Sequence, residues 1–174
     1  MKNITILALC AILIIPVLIF PPGANGAPAR EEAPAREDAP APENEVEISD
    51  VTGKEWILTE LRIAGKTTII DRKKLEADSM GGFFTLMFSE DRISGMGAPN
   101  RYFAPYTVLD RKTLNIGLIA GTMMLAFREP EELKENEYFN YLSKVTQLDL
   151  HGEKLELYSV DSSEAEVVLV FILN

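Results

Sequence analysis

Short apolar runs alternate with turn residues through the middle and C-terminal parts of the chain, and this pattern predicts a mainly β domain. Residues 56–63 are rich in β-forming side chains and end at the turn 64–66, after which residues 67–70 can return as a hairpin partner. Residues 83–88 are apolar at nearly every position, which favours a strand buried on both faces. A further strand is expected to begin at Arg92.

The C-terminal part of the chain predicts a second hairpin and a closing strand. Residues 148–150 and 155–157 alternate leucine with a polar residue on either side of a turn at 151–154, which is typical of a hairpin. A polar turn at 161–164 then leads into the continuous apolar run 167–172, which suits an inner strand of the sheet.

Two segments predict helices. Residues 71–78 are polar and can form a short helical turn around Leu75. A longer helix is expected to begin at Pro130, which fits a first helical position, with Glu131 and Glu132 favourably placed against the helix dipole. Its apolar residues recur at helical spacing and indicate the face that covers the sheet: Tyr138, Tyr141, Leu142 and Val145. The sequence therefore predicts a mostly β domain with one principal helix.

Residues 1–26 have the features of a signal peptide. Residues 4–20 carry no charge, and small residues at positions 24 and 26 favour cleavage after the second of them. An uncleaved anchor is one alternative, because about 17 apolar residues lie at the lower limit for crossing a bilayer. A lipoprotein is another, through the Leu-Ala-Leu-Cys sequence at 7–10. We expect an exported protein that is periplasmic, associated with the cell envelope, or secreted.

Residues 27–50 predict a disordered linker between the signal peptide and a folded domain at 51–174. The segment repeats Ala-Pro-Ala-Arg-Glu-Glu/Asp and contains eight carboxylates, two arginines and four prolines without an aromatic residue. Such a composition cannot bury enough apolar surface to offset the entropy of ordering. An adhesive or cell-wall-contacting tail is the functional alternative. The linker and Lys2 contribute −6 and +1, which leaves −5 for the folded domain.

Charge and composition disfavour several classes of function. The 27 acidic and 17 basic residues give a net charge of −10, which repels phosphate backbones and anionic lipid and argues against nucleic acid as a partner. Cys10 and His151 are the only cysteine and histidine, which excludes thiolate zinc sites, disulfides within the chain and multi-histidine metal centres. We therefore expect no cofactor and no metal.

Acidic pairs are the remaining candidates for catalysis. We interpret them as solvated residues, since turns and helix starts commonly carry acids: Glu90-Asp91, Glu131-Glu132 and Glu135/Glu137. His151 falls in a predicted turn, with no recognisable nucleophile motif to serve. Gly95-Met96-Gly97 lacks the Lys-Ser/Thr that follows a phosphate-binding loop. No catalytic residue is expected.

Residues 93–106 form the most unusual segment of the sequence. Gly95 and Gly97 allow either positive φ or a close approach of two backbones, and Asn100 can hydrogen-bond its own local backbone as an Asx turn. We therefore expect a bulged, structurally demanding corner here.

This segment and a series of short motifs in the same order resemble the META domain, the family of the heat-shock protein HslJ. The motifs are Trp56-x-Leu58, Ser94-Gly95, Asn100 followed by Tyr106, Leu114-x-Ile116, Thr122-x-Met124, Glu137 with Leu142, and Leu155-x-Leu157. The resemblance spans 51–174. Pro99 and Ala126 stand where the family usually has cysteines, and Ala104-Pro105 replaces a usual glycine.

The resemblance implies a curved antiparallel sheet or half-barrel with one principal helix packed against it. It also implies bacterial envelope or secreted proteins linked to stress response, without an established catalytic residue set. The residues at which this chain carries the structural motif are Trp56, Gly95, Gly97, Asn100, Tyr106, Thr122 and Met124.

The leading hypothesis is a non-enzymatic envelope domain that recognises an unidentified envelope protein or helps to maintain the envelope. An apolar-ligand or lipid carrier is the first alternative, because half-barrels can enclose lipid-sized pockets. A carboxylate-based hydrolase is the second alternative. Contact with a membrane is expected only through the N-terminal segment, if that segment is not cleaved.

Overall fold

The computed structural model describes residues 47–126 and 128–174. The predicted signal peptide and the predicted linker up to residue 46 lie outside the described residues. Within the described part, ten strands, two α-helices and one short 3-10 helix follow one another along the chain.

The strands are β1 Glu55–Ile63, β2 Lys66–Ile69, β3 Thr85–Phe88, β4 Arg92–Met96, β5 Arg101–Val108, β6 Leu114–Ile116, β7 Ala120–Gly121, β8 Gln147–His151, β9 Lys154–Val160 and β10 Glu166–Leu173. The helices are α1 Arg72–Ala77 and α2 Glu135–Ser143, and a 3-10 helix spans Ile48–Asp50. Both predicted hairpins, the inner strand near the C-terminus and the short helix around Leu75 are confirmed.

The strands form one antiparallel sheet in the order β6-β5-β4-β3-β1-β10-β9-β8, with β2 added to β1 and β7 added to β5. The sheet curves until its two ends nearly meet, because Thr113 next to β6 bridges to Gln147 of β8. Two backbone hydrogen bonds support this contact, from Leu114 N to Thr146 O at 3.0 Å and from Leu148 N to Lys112 O at 2.8 Å. The predicted curved half-barrel with one main helix is confirmed.

Side chains fill the inside of the half-barrel. The largest fully buried ones are Trp56, Tyr138, Phe84, Phe88 and Phe171. Helix α2 packs on this inner face through the predicted apolar stripe, since Tyr138, Tyr141, Leu142 and Val145 are all buried. The Tyr138 ring meets the Phe84 ring edge-on at 5.2 Å.

The predicted start of the main helix at Pro130 is wrong. Helix α2 begins at Glu135, with Lys134 at its N-cap, and the Glu137 carboxylate accepts a hydrogen bond from the Lys134 N–H at 2.9 Å. Leu133 turns into the core immediately before the cap and is buried, as is Tyr138 four residues into the helix. This apolar pair occupies the positions of a hydrophobic staple, which fixes how the chain enters the helix.

Two further predictions in the region of β3 to β5 need correction. The strand predicted at 83–88 begins only at Thr85, because Phe84 has a φ of 55°. Residues 93–106 do not form a bulged corner: β4 and β5 are a regular hairpin with five consecutive pairs, from Arg92 opposite Pro105 to Met96 opposite Arg101.

Candidate functional site

The end of β4 and the turn between β4 and β5 approach other parts of the fold so closely that both require glycine. A Cβ atom on Gly95 would lie 2.0 Å from the Thr85 carbonyl oxygen, and one on Gly97 would lie 2.6 Å from Oε1 of Glu135. Neither glycine has a positive φ. Of the two roles expected for these glycines, the structure shows close approach, and at Gly97 the neighbour is a carboxylate.

That carboxylate is buried, so the interpretation of Glu135 as a solvated residue is wrong. Its Oε1 accepts hydrogen bonds from Ala98 N at 2.6 Å and Asn100 N at 2.7 Å, and its Oε2 accepts one from Asn100 Nδ2 at 2.7 Å. Three N–H donors replace the water that the carboxylate loses on burial. Because Glu135 is the first residue of α2, these bonds tie the helix to the β4–β5 turn.

The side-chain amide of Asn100 also holds the segment that contains Thr122 and Met124. Its Oδ1 accepts from Thr122 Oγ1 at 2.8 Å and Met124 N at 2.6 Å, while its Nδ2 also donates to Met124 O at 3.2 Å. The predicted local Asx turn is wrong, because these bonds all reach residues at least 22 positions away. We call Asn100, Glu135, Thr122 and Met124 the amide clamp.

The remaining motif residues lie elsewhere in the fold. Trp56 is buried and donates from Nε1 to Val51 O at 3.1 Å. Tyr106 donates from its hydroxyl group to Ser89 O at 2.7 Å, and its ring packs edge-on against Phe88 at 5.4 Å. Both side chains hold neighbouring segments on the sheet, and neither has a hydrogen bond to the amide clamp.

The segment held by the clamp presents large apolar side chains to solvent. The exposed fractions are 89% for Leu118, 98% for Met123, 61% for Met124 and 87% for Leu125, and the neighbouring Phe103 is 52% exposed. Strand β7 fixes the start of this segment against β5, with Ala120 opposite Phe103. We call Phe103, Leu118, Met123, Met124 and Leu125 the apolar patch.

Comparison with known proteins identifies the family. The family model of the META domain matches residues 49–172. The chain belongs to the META-domain family.

Two solved structures are similar to this META domain. One is the NMR structure of a protein from Burkholderia xenovorans, with 24% identity over 83% of this chain and 98% of that one, and a TM-score of 0.55. The other is the crystal structure of a DUF4847 family protein from Bacteroides vulgatus, with 12% identity over 72% of this chain and 96% of that one, and a TM-score of 0.48. The first likeness shows the fold. A search of curated proteins found no match to the chain.

Two concave surfaces border the apolar patch of this META domain. A cleft of about 350 Å³ lies beside Met124 and Leu125 and is lined by Met80 and Phe83, together with the two positions of the usual family cysteines, Pro99 and Ala126. A groove of about 520 Å³ runs across the outer face of β3, β4 and β5, lined among others by Glu55, Met87, Arg92, Met96, Arg101 and Phe103. Both could hold apolar groups; the cleft also has the Arg128 guanidinium group and the Asp78 carboxylate in its lining, and the groove has two guanidinium groups.

Two tyrosine hydroxyl groups are buried inside the META domain near Gly95. Tyr102 and Tyr138 both lie within hydrogen-bond distance of the Thr85 carbonyl oxygen, at 2.9 and 3.1 Å. Burial raises the pKa of both phenols well above the ordinary value of 10. Both hydroxyl groups are therefore neutral near pH 7 and act as structural donors.

Several of the carboxylates that lie together in the META domain are held in ion pairs. A cleft of about 290 Å³ is lined by Asp78, Glu129, Glu131 and Glu132, and the Lys74 ammonium lies 3.5 Å from Glu131 and 3.3 Å from Glu132. The Asp91 carboxylate is 3.0 Å from Nε of Arg92. Among the described residues, no group of three or more potential ligands could hold a metal ion. In the same part of the chain, neither helix is long and apolar enough to cross a bilayer.

Proposed function

We propose that this META domain is a non-enzymatic interaction module of the cell envelope that binds its partner through the apolar patch. The observation that carries the proposal is the position of Met124. Its backbone N–H and carbonyl are both bonded to the buried Asn100 side chain, while its own side chain is exposed. Concentrated exposed apolar surface is a mark of interaction sites in folded proteins.

The amide clamp explains how such a surface can persist. A loop stabilised only by its own side chains would turn its leucines and methionines inward, since burying each is worth about 1.5–3 kcal/mol. Here buried polar groups fix the backbone instead, at about 0.5–1.5 kcal/mol for each neutral hydrogen bond and more for those to the Glu135 carboxylate. The apolar side chains are thus left available on an already ordered backbone, which lowers the entropic cost of binding.

The polar chemistry of the described residues supports a role without catalysis. The buried Glu135 carboxylate has its oxygens occupied by three N–H groups, and the phenols of Tyr102 and Tyr138 are held neutral. Two of the four carboxylates in the 290 Å³ cleft, Glu131 and Glu132, are paired with Lys74. These groups are used to hold the fold together.

The N-terminal sequence supports a place in the envelope. A signal peptide at 1–26 would direct export, and the Ala/Pro/Glu-rich linker predicted from residue 27 to the start of the 3-10 helix at Ile48 would separate the META domain from the export segment or from a retained anchor. In this setting the module would serve envelope maintenance or stress response.

Photo-crosslinking tests the proposed function. A benzoylphenylalanine placed at Met123 of the exported protein, in cells of its own source, is expected to yield a discrete adduct. The control carries the same probe at Ile69, an apolar residue on β2 that is 60% exposed and outside the patch. Equal adduct yields from both positions, or none from Met123, would contradict the proposal.

An apolar-ligand carrier is the second candidate, favoured by the cleft beside Met124 and Leu125. Since large side chains fill the half-barrel, a ligand would occupy this outer cleft. Extraction of the purified protein followed by mass spectrometry checks this candidate. A carrier is expected to release stoichiometric fatty acid or lipid, and Met80→Glu would abolish that release.

A further inference from the structure

The free edge of the sheet beside the apolar patch indicates what binds there. Building on the proposed function, we infer that a second copy of this chain is the partner. Residues 119–123 of the two copies pair as antiparallel strands about a two-fold axis at Gly121, and apolar side chains of the patch in each copy pack against the other copy. The contact uses only residues of the folded META domain.

Backbone groups in the clamped segment alternate in direction, as they do in a strand. Ala120 pairs with β5, and Thr122 N donates to Arg101 O at 2.9 Å. Two residues further on, Met124 N donates to Asn100 Oδ1 at 2.6 Å, and Met124 O accepts from Asn100 Nδ2 at 3.2 Å. Residues 120, 122 and 124 therefore direct their backbone groups inward, and the Asn100 amide takes the place of a neighbouring strand.

The intervening residues direct backbone groups away from the sheet. These groups are O of Ile119, N and O of Gly121, and N and O of Met123, which we call the open edge. No described residue donates a hydrogen bond to them or accepts one from them. The residues from Ala120 to Ala126 are exposed, so solvent reaches these groups. An edge with unpaired N–H and C=O groups is a template for a further strand.

A two-fold axis through Gly121 allows the open edge to pair with itself. Antiparallel strands exchange hydrogen bonds where the backbone groups of two residues face each other, and a two-fold axis repeats each contact. Gly121 N of each copy donates to Gly121 O of the other, and Met123 N of each copy donates to Ile119 O of the other. Every group of the open edge except Met123 O thereby gains a partner within the dimer.

This register also brings apolar side chains together. Met123 lies opposite Ile119 of the second copy, and Leu118 and Met124 flank this pair. Leu118, Met123 and Met124 are exposed in one copy, and Ile119 is half-buried. A strand from an unrelated protein would satisfy the backbone groups equally well, but it would need apolar residues at these same positions. A second copy has them, which favours it over other strands as the occupant.

Neither charge nor proline protects this edge. Proteins keep other chains off an edge strand with charged side chains or proline. Residues 113–127 contain neither and form the longest uncharged run within residues 51–174. Strand β2, which pairs only with β1, begins instead at Lys66 and is followed by charged residues at 71–74. Because residues 51–174 carry a net charge of −5, two copies approach each other at the lowest electrostatic cost along an uncharged edge.

Two basic residues near the edge do not oppose the pairing. Arg101 stands on β5, one strand from the open edge, so the β5 strands of the two copies are about 14 Å apart, or three strand spacings. Surface charges at this separation are largely screened, since the screening length is about 10 Å at 0.1 M salt. Arg128 lines a cleft together with Asp78 and Glu129, which offset its charge.

The area available at this edge is sufficient for a reversible dimer. Leu118, Met123, Met124 and Leu125 are exposed by 61–98%, which leaves on the order of 350 Å² of apolar side chain in each copy. With the backbone and small side chains of 119–123, two copies bury about 1,000 Å², which is the small end of specific interfaces. We therefore expect a dissociation constant in the micromolar range.

Sedimentation equilibrium of the exported, processed protein in reductant tests the inference. A monomer–dimer equilibrium is expected, with a dissociation constant between about 1 and 500 µM. Met123→Pro removes an N–H that bonds to no described residue, and it should weaken the dimer about tenfold or more relative to Met123→Ala, which keeps this N–H. Ile69→Asp on β2 is the control and should leave the dissociation constant unchanged.

A photo-probe at position 123 tests the register without introducing proline. Unlabelled and isotope-labelled protein, both carrying benzoylphenylalanine at Met123, are mixed and irradiated, and mass spectrometry identifies the links between copies. The expected adduct joins position 123 of one copy to Ile119 or to a residue next to it in the other.

Each outcome bears separately on this inference and on the proposed function. The second copy is overturned as the occupant by a monomer at all concentrations, by an adduct outside residues 113–127, or by a dimer that a normally melting Met123→Pro variant does not weaken. If the same probe in cells then gives a discrete adduct with a different protein, the proposed function stands. If the protein is a monomer and no adduct forms in cells, both fall.

Discussion

Two outward-facing regions of this META domain carry apolar residues. In one region these side chains are buried by their neighbours, and in the other they are exposed to solvent. On the outer face of β10, Val168 and Val170 lie beside charged residues of β1 and β9 and are buried. At the edge formed by β5 and β7, Leu118 and Met123 are nearly fully exposed. In the same domain, one set of outward-facing apolar side chains is therefore buried and the other is exposed to solvent.

Val168 and Val170 on the outer face of β10 are covered by side chains that bond to Glu156. The Glu156 carboxylate contacts Arg62 Nη1 at 3.0 Å and Lys154 Nζ at 2.8 Å, and it accepts a hydrogen bond from the Tyr158 hydroxyl at 2.9 Å. The aliphatic stems of such long side chains can shield apolar surface while their charged ends stay near water. Because the fold has this means of covering apolar residues, the exposed patch on the other edge is the better candidate for a binding surface.

The largest expected effect comes from removing the buried carboxylate that anchors the clamp. Glu135→Ala leaves three donors without an acceptor in a buried setting and is expected to lower the free energy of unfolding by about 3 kcal/mol or more. Urea unfolding measures this loss. Glu131→Ala, at a residue whose side chain is 88% exposed, is the control and should change stability by less than about 0.5 kcal/mol. Equal effects of the two substitutions would show that Glu135 is not a structural anchor.

Asn100→Ala is expected to have the next largest effect. It removes the bonds to Met124 and Thr122 and leaves Glu135 Oε2 without one of its donors, which should cost about 2 kcal/mol. The loosened segment should also give a weaker and less discrete crosslink from Met123. Thermal unfolding and the crosslink yield are the measurements. Unchanged melting with a complete loss of binding would instead make Asn100 a contact residue.

Glu135 and Asn100 also show the limit of what could be predicted from the sequence. The hairpins, the inner strand and the apolar stripe of α2 were predictable because each depends on local periodicity. The roles of Glu135 and Asn100 were not predictable, because each bonds to residues far away along the chain. The two residues, which bond to each other, are themselves 35 positions apart. Gly97 gave a partial signal, since it indicated either positive φ or a close approach, but the sequence did not decide between the two and did not identify the neighbour.

The apolar patch was also beyond the reach of sequence analysis. A run such as Met123, Met124 and Leu125 has the composition of a buried segment, and only its position at the edge of the sheet leaves it exposed. The helix start illustrates the same limit. Pro130 fits a first helical position locally, but burial of Leu133 delays the helix to Glu135.

A smaller effect, dependent on pH, is expected on the covered face. Burial alone would raise the pKa of Glu156, but hydrogen bonds from Lys154, Tyr158 and Arg62 lower it to about 2. A lowered pKa stabilises the fold above the ordinary value near 4.5, and this stabilisation is lost as the pH falls from there towards 2. Glu156→Gln should lower stability by about 1–2 kcal/mol at pH 7 and flatten the acid limb of the stability profile. Urea unfolding across that pH range provides the measurement, and an unchanged acid limb would contradict the role of Glu156.

The smallest effect on stability, and the most direct test of the central claim, is expected for Met123→Asp/Leu125→Asp. Both side chains are exposed, so the melting temperature should stay close to that of the wild type. Crosslinking from a photo-probe at Leu118 should be lost. A normal melting curve together with undiminished crosslinking would contradict the claim that the amide clamp presents the apolar patch for binding.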